Sequence, residues 1–179
     1  MSFWMDLRLP CEQDLLIGFY DLTGYMRQAE ASEPLPLLDL FSGYFALTGK
    51  IIDDAGGRLI KTMGDAGLVA FPAALADAGV RTLQAVQAQG REWLASHGWR
   101  SRAIVKLHLG PVAIGRVGSP GREIIDVYGK TVNVAASLPS AGLALSPAAF
   151  RSLEPATRQL FKKHPPPITY IGVDDARPD

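Results

Sequence analysis

The sequence predicts a mixed α/β domain, a ferredoxin-like β-α-β-β-α-β sandwich carrying additional strands. Three observations lead there. Apolar runs of strand length interleave with two long stretches of helical period. A Gly-Asp tip between two short apolar runs marks a tight hairpin. The chain of 179 residues, 47% hydrophobic and 20% charged, suits a single domain over residues 1–179 with a substantial core. No internal repeat, low-complexity tract or interdomain linker divides it.

Residues 14–20 form a continuous apolar run of strand length. From Pro36, a helical pattern puts Leu37, Leu38, Phe41, Tyr44, Phe45, Thr48, Ile51 and Ile52 on one face, and Gly56-Gly57 stops it. The hairpin at 58–71 follows and Pro72 closes it. A second helix, about 75–97, carries Val80, Leu83, Val86 and Leu94; Gly79 and Gly90 work against its regularity. Residues 103–109 alternate as a strand, and Gly110-Pro111 is expected to turn the chain into a further strand over 112–118. A loop at Ser119-Pro120-Gly121 precedes a strand over 123–128. Gly129 leads to a helix around 132–136. Leu143–Leu145 is a short strand, and Ser146-Pro147 is an N-cap and N1 pair for a helix to about Leu153. Pro165-Pro166-Pro167 precedes a last strand over 168–171.

Lys plus Arg equal Asp plus Glu, so the global charge offers no argument for nucleic acid or an anionic membrane, and no nucleic-acid partner is expected. The single Cys11 rules out an intrachain disulfide and suits a reducing, cytoplasmic setting. The start, Met1-Ser2-Phe3-Trp4-Met5-Asp6, lacks the basic and apolar regions of a signal peptide. No continuous apolar run approaches 18 residues, so no membrane segment is expected.

Two carboxylates stand out. Asp65 sits at the tip of the 58–71 hairpin, and Asp21 ends the run Leu15-Leu16-Ile17-Gly18-Phe19-Tyr20. Two such aspartates are what a two-metal phosphoryl-transfer site needs. Taken alone they read more often as solvated turn residues. Lys61 by itself reads as a solvent-facing strand residue. Asp126, inside an apolar strand, requires a partner if buried. Asn133 reads equally as a helix N-cap. His108 is expected to pack in its strand with its imidazole satisfied, and His97 and His164 have no metal-ligand spacing. Trp93 and Trp99 read as packing residues.

In this order, four segments resemble the catalytic domain of class III nucleotidyl cyclases, the adenylate and guanylate cyclases. They are Phe19-Tyr20-Asp21-Leu22-Thr23-Gly24-Tyr25, then Gly56 through Asp65, Leu107-His108-Leu109-Gly110-Pro111-Val112, and Asp126 through Ala136. The second and fourth are specific. The resemblance is firm over 13–138 and looser over 143–171. It implies that Asp21 and Asp65 bind two Mg²⁺ or Mn²⁺ ions, with the Leu22 backbone carbonyl in the same loop. The turn Thr23-Gly24-Tyr25-Met26 would aim amides at the triphosphate. Lys61 and Asp126 match the pair that reads the purine, and their donor and acceptor favour ATP over GTP. Asn133 matches the residue that orients the ribose. The family also implies a homodimer with shared sites: the metal aspartates of one subunit face Lys61, Asp126 and Asn133 of the other.

Position 137 departs from the family. Four residues after the ribose asparagine the family has an arginine that stabilises charge on the transferring phosphate; here it is Ser137. Arg102, Arg116, Arg122, Arg151 and Arg158 are the candidate replacements. For the C-terminal lysine that the family aims at the phosphates, Lys162 is the first candidate and Lys163 the next. The activity implied is conversion of ATP to 3′,5′-cyclic AMP and pyrophosphate, with any regulatory partner acting in trans. The rival that Ser137 favours is a pseudo-cyclase, a nucleotide-binding or dimerisation module with little turnover. A palm-like diguanylate cyclase or polymerase domain lacks its Gly-Gly-Asp-Glu-Phe-like hairpin here, and a non-enzymatic interaction module would bind no nucleotide.

Overall fold

β1 (Cys11–Leu22) supplies the middle of the sheet because Leu15, Leu16 and Ile17 are buried on both of its faces. That explains a continuous apolar run where a half-solvated strand would alternate. The computed structural model describes residues 3–164 and 167–175; the start Met1-Ser2, residues 165–166 of the proline run and residues 176–179 lie outside the described residues. After α1 (Phe3–Asp6) and β1 come α2 (Tyr25–Glu30), α3 (Pro34–Asp54), β2 (Arg58–Met63), β3 (Ala66–Pro72) and α4 (Ala76–Ser96). Then follow β4 (Ala103–Val117), β5 (Ile124–Tyr128), α5 (Lys130–Ser137), β6 (Leu143–Leu145), α6 (Pro147–Arg151), α7 (Pro155–Arg158), β7 (Phe161–His164) and β8 (Thr169–Gly172).

One eight-stranded sheet runs β2-β3-β1-β4-β6-β8-β7, with β5 paired to β4. Its first four strands, with α3 and α4 between them, are the expected β-α-β-β-α-β unit. β1 lies antiparallel to both β3 and β4, whereas β6 joins β4 in parallel. On one face Leu16, Tyr20 and Val69 pack with Tyr44 and Ile52 of α3 and with Val80 and Leu83 of α4. On the other, Leu15, Ile17, Leu68 and Val127 pack with Ala135 of α5 and Trp4 of α1.

Several expectations change. Gly110-Pro111 does not turn: β4 runs unbroken from Ala103 to Val117, with Pro111 opposite Asp14 of β1. On the outer edge of β4, β6 pairs with Val105–Leu107 and β5 with Ala113–Val117. Pro111 falls in the gap between them, where a missing N–H costs no ladder bond. Gly79 and Gly90 do not break α4 either; both are buried contact points. A Cβ on Gly79 would stand 2.9 Å from Leu16 and Phe71, and one on Gly90 would stand 3.1 Å from Tyr44. Ser146 caps α6 as expected, its Oγ accepting from the Ala149 N–H at 3.2 Å. The last strand starts at Thr169, after the expected 168, and β7 and the short helices α1, α2 and α7 were not signalled.

Among the described residues, α3 alone has the length and mean hydropathy (1.3) to cross a bilayer. Its Phe41, Tyr44, Thr48 and Ile52 are buried in the domain, and Lys50 pairs with Asp54 on its exposed side at 2.7 Å. Averaging the two faces of an amphipathic helix produces that hydropathy without a continuous apolar run.

Candidate active site

The β2–β3 hairpin and the end of β1 bring Asp21 and Asp65 together. Met63 pairs with Ala66, leaving Gly64 and Asp65 as a two-residue loop. Gly64 has φ +63°, the left-handed conformation that a type II′ hairpin requires at its first central residue. Because β3 pairs with β1, with Gly67 opposite Tyr20, the loop is set beside Asp21. Gly67 is needed there, since a Cβ would collide with the Tyr20 ring. The Leu22 N–H donates to Asp21 Oδ1 at 3.0 Å and to Asp65 Oδ2 at 3.2 Å. Burial, reinforced by the neighbouring Asp21 carboxyl, pushes Asp65 up to about 6.

The donors of this pair are oxygens, which suits hard ions such as Mg²⁺ or Mn²⁺. No cluster of three or more His, Cys, Asp or Glu occurs among the described residues. The rest of a coordination sphere would therefore come from phosphate and water, the usual arrangement for Mg²⁺. The residues fit the ions that the resemblance implies.

Lys61 and Asp126 also meet. Lys61 Nζ donates to Asp126 Oδ2 at 2.6 Å, and Asp126 Oδ1 accepts from the Val127 N–H at 2.9 Å. Asp126 is 3% exposed, so this buried carboxylate has the partner it needs. A bulge between Leu59 and Lys61 makes the meeting possible. Leu59 pairs with Val69 toward α3 and α4, whereas Lys61 pairs with Leu68 on the α5 face. Simple alternation would have kept Leu59 and Lys61 on one face.

The ion pair opens on a cleft of about 470 Å³ whose lining includes Phe19, Met63, Tyr128, Val132 and Asn133. Lys61 Nζ lies 5.9 Å from the Tyr128 ring centre. Asn133 is the fourth residue of α5 and exposed; Gly129 occupies the cap, which removes the N-cap reading of Asn133.

The Thr23–Met26 turn divides. The Thr23 N–H donates to the Arg102 carbonyl at 3.0 Å and extends the β1–β4 ladder. Gly24, with φ +69°, starts α2, and Tyr25 and Met26 form its first turn, where amides have no intrahelical partner. Tyr25 anchors the turn, its ring centre 5.3 Å from that of Phe41 and 6.2 Å from that of Trp99. Lys162 is not brought to Asp21 and Asp65 of its own chain: it lies on the edge strand β7, donating to the Val173 carbonyl at 2.7 Å and the Asp175 carbonyl at 3.2 Å. Lys163 is its neighbour on that strand.

His108 is half-buried, with Nδ1 2.7 Å from Ser146 Oγ, and burial lowers its pKa. Trp93 and Trp99 pack against α3 and its surroundings, at 6.2 Å from Tyr44 and 5.4 Å from Phe41. Ser137 is exposed and donates to the Val134 carbonyl at 3.2 Å. The side chain that sequence reasoning missed is Lys106, whose Nζ donates to the Ala136 carbonyl at 3.2 Å, beside Ser137. Alternation put it on one face of β4, and nothing in the sequence says what covers that face.

The family model for the adenylate and guanylate cyclase catalytic domain matches residues 10–162. The adenylate cyclase of Anabaena cylindrica is 33% identical over 132 residues, which cover 69% of this chain and 26% of that protein. The chain spans well under half the length of the curated relatives it matches. Among solved structures, a bacterial light-regulated adenylyl cyclase superposes with TM-score 0.78 at 22% identity, over 97% of this chain and 55% of that one. The adenylyl cyclase CyaB from P. aeruginosa gives TM-score 0.76 at 21% identity, over 96% and 99% of the two chains. These two superpositions speak for the fold, and the family match for membership. The chain belongs to the adenylate and guanylate cyclase catalytic-domain family.

Proposed function

We propose that this chain converts ATP to 3′,5′-cyclic AMP and pyrophosphate, as a homodimer with shared sites. The observation that carries this reading is a pair of convergences. Asp21 and Asp65 meet on the Leu22 N–H, and Lys61 and Asp126 meet beside Asn133.

Two Mg²⁺ or Mn²⁺ ions, when bound, supply positive charge at the reacting phosphate. Asp21, Asp65 and the Leu22 carbonyl would hold them. The ammonium of Lys61 has donors beyond the one given to Asp126, and offers one to an adenine ring nitrogen. Asp126 accepts from the exocyclic amine; a guanine would set its carbonyl oxygen against that carboxylate. Asn133 orients the ribose so that its 3′-oxygen stands in line with the α-phosphorus. The Gly24–Met26 amides face the triphosphate.

The exposed apolar side chains Met63 and Tyr128 beside the cleft support docking of a second copy. Its Asp21 and Asp65 would hold the ions that meet the phosphates of the nucleotide whose base is read here. Product analysis with ATP and with GTP, each with Mg²⁺ and with Mn²⁺, tests the reading. Cyclic AMP is expected, and absence of any cyclic nucleotide would favour the pseudo-cyclase that Ser137 alone suggests.

A further inference from the structure

We propose that Lys106 supplies the positive charge at the transferring phosphate that position 137 lacks; this rests on the cyclase reading above. Ser137 is turned back on its own helix, its hydroxyl donating to the Val134 carbonyl at 3.2 Å. Lys106 pairs across the sheet with Phe19 and shares its face. Phe19 in turn lines the cleft with Lys61 and Asn133. From there the Lys106 side chain reaches the last turn of α5, where Nζ lies 3.2 Å from the carbonyl of Ala136. Ala136 adjoins Ser137 and lies about one helical turn beyond Asn133. An ammonium has three donors, and this bond uses one.

None of the five arginines that could have replaced the missing one lines the cleft that holds Lys61 and Asn133. Arg102 immediately precedes β4, bonded through its backbone to Thr23. Arg116 stands opposite Ile125 at the far end of β4, and the Arg122 N–H closes a turn on Ser119. Arg158 donates to the Arg151 carbonyl and lies over Phe150. Lys106 is half-buried, and no carboxylate pairs with it among the described residues. Capping of a helix C-terminus is an ordinary use of lysine. Here the capping bond also holds a free charge in the last turn of α5, about one turn beyond Asn133.

In the reaction, the ribose 3′-oxygen forms a bond to the α-phosphorus as its proton passes to water. The bond from the α-phosphorus to the bridging oxygen breaks, and that electron pair leaves with pyrophosphate. Lys106 keeps its proton throughout and acts by charge and hydrogen bonding on the α-phosphate oxygens, for which a point charge suffices. Such a group acts on transition-state charge more than on ground-state binding.

Lys106→Gln retains a donor for the Ala136 carbonyl but carries no charge, and Lys106→Met removes both. With Mn²⁺-ATP, both variants are expected to lose kcat by about a hundredfold, the scale of losing one preorganised donor. KM should change little, and Lys106→Gln should melt with the wild type. Lys106→Arg should retain most of the rate, and Ser137→Arg added to Lys106→Met should restore it. A folded Lys106→Gln variant with wild-type kcat would overturn the proposal, as would failure of Lys106→Arg to retain the rate. If the wild type itself makes no cyclic AMP, the cyclase reading fails and this proposal fails with it. An active wild type indifferent to Lys106→Gln overturns the role of Lys106 alone.

Discussion

Asp65 carries the sharpest chemical signature of any single residue in the chain. Its carboxyl is pushed from 3.8 up to about 6 by burial and by Asp21. A raised folded-state value means that folding is favoured while the group is protonated, and that this contribution is lost as pH rises through about 6. In EDTA, the melting temperature of the wild type should therefore fall relative to Asp65→Asn as the pH rises from about 4 to about 7. A constant difference between the two proteins across that range would remove the case for a strained pair. Turnover should depend on both carboxylates, since no neutral residue replaces an anionic ligand. Asp21→Ala and Asp65→Ala are expected to abolish cyclic AMP formation while circular dichroism stays native. Undiminished turnover in either folded variant would contradict the metal assignment.

Secondary-structure elements place these residues, and their contacts show what the sequence could and could not reveal. The hairpin tip and the Ser146 cap were legible because a two-residue turn and an N-cap each demand particular residues. The resemblance named Lys61 and Asp126 as readers of the purine, but their direct contact was not legible, because a bulge defeats the period-two reading of β2. Gly110-Pro111 looked like a turn because the gap in strand pairing outside β4, which tolerates Pro111, is a property of the assembled sheet. Lys106 went unnoticed for the same reason: its partner is the end of a helix thirty residues away in sequence. Two elements give stability tests. Lys61→Ala leaves the Asp126 carboxylate buried with one backbone donor and should cost about 1–3 kcal/mol in urea unfolding. Gly67→Ala would drive a methyl into the Tyr20 ring and should cost about 1–3 kcal/mol, loosening the β1–β3 contact that aligns the two aspartates. Full stability in either variant would show that the surrounding structure relaxes more than its packing suggests.

For the whole molecule, Lys61 and Asp65 belong to one hairpin but, in the proposed dimer, to different sites. Asp65→Ala and Lys61→Ala homodimers should each be defective. A heterodimer of the two gathers both lesions into one site and leaves the other whole. Random exchange makes about half of the dimers heterodimeric, so mixtures should recover roughly a quarter of wild-type activity. Exchange of tagged subunits without recovery would exclude shared sites. Base choice belongs to the assembled site as well, and ATP should be preferred over GTP by roughly tenfold or more, with Lys61→Glu weakening the preference. Mass-spectrometric identification of the product from Mn²⁺-ATP separates a cyclase from a module that only binds nucleotide. The wild type should yield 3′,5′-cyclic AMP and pyrophosphate in equal amounts and Asp65→Ala none; intact ATP with both proteins would rule out the cyclase reading.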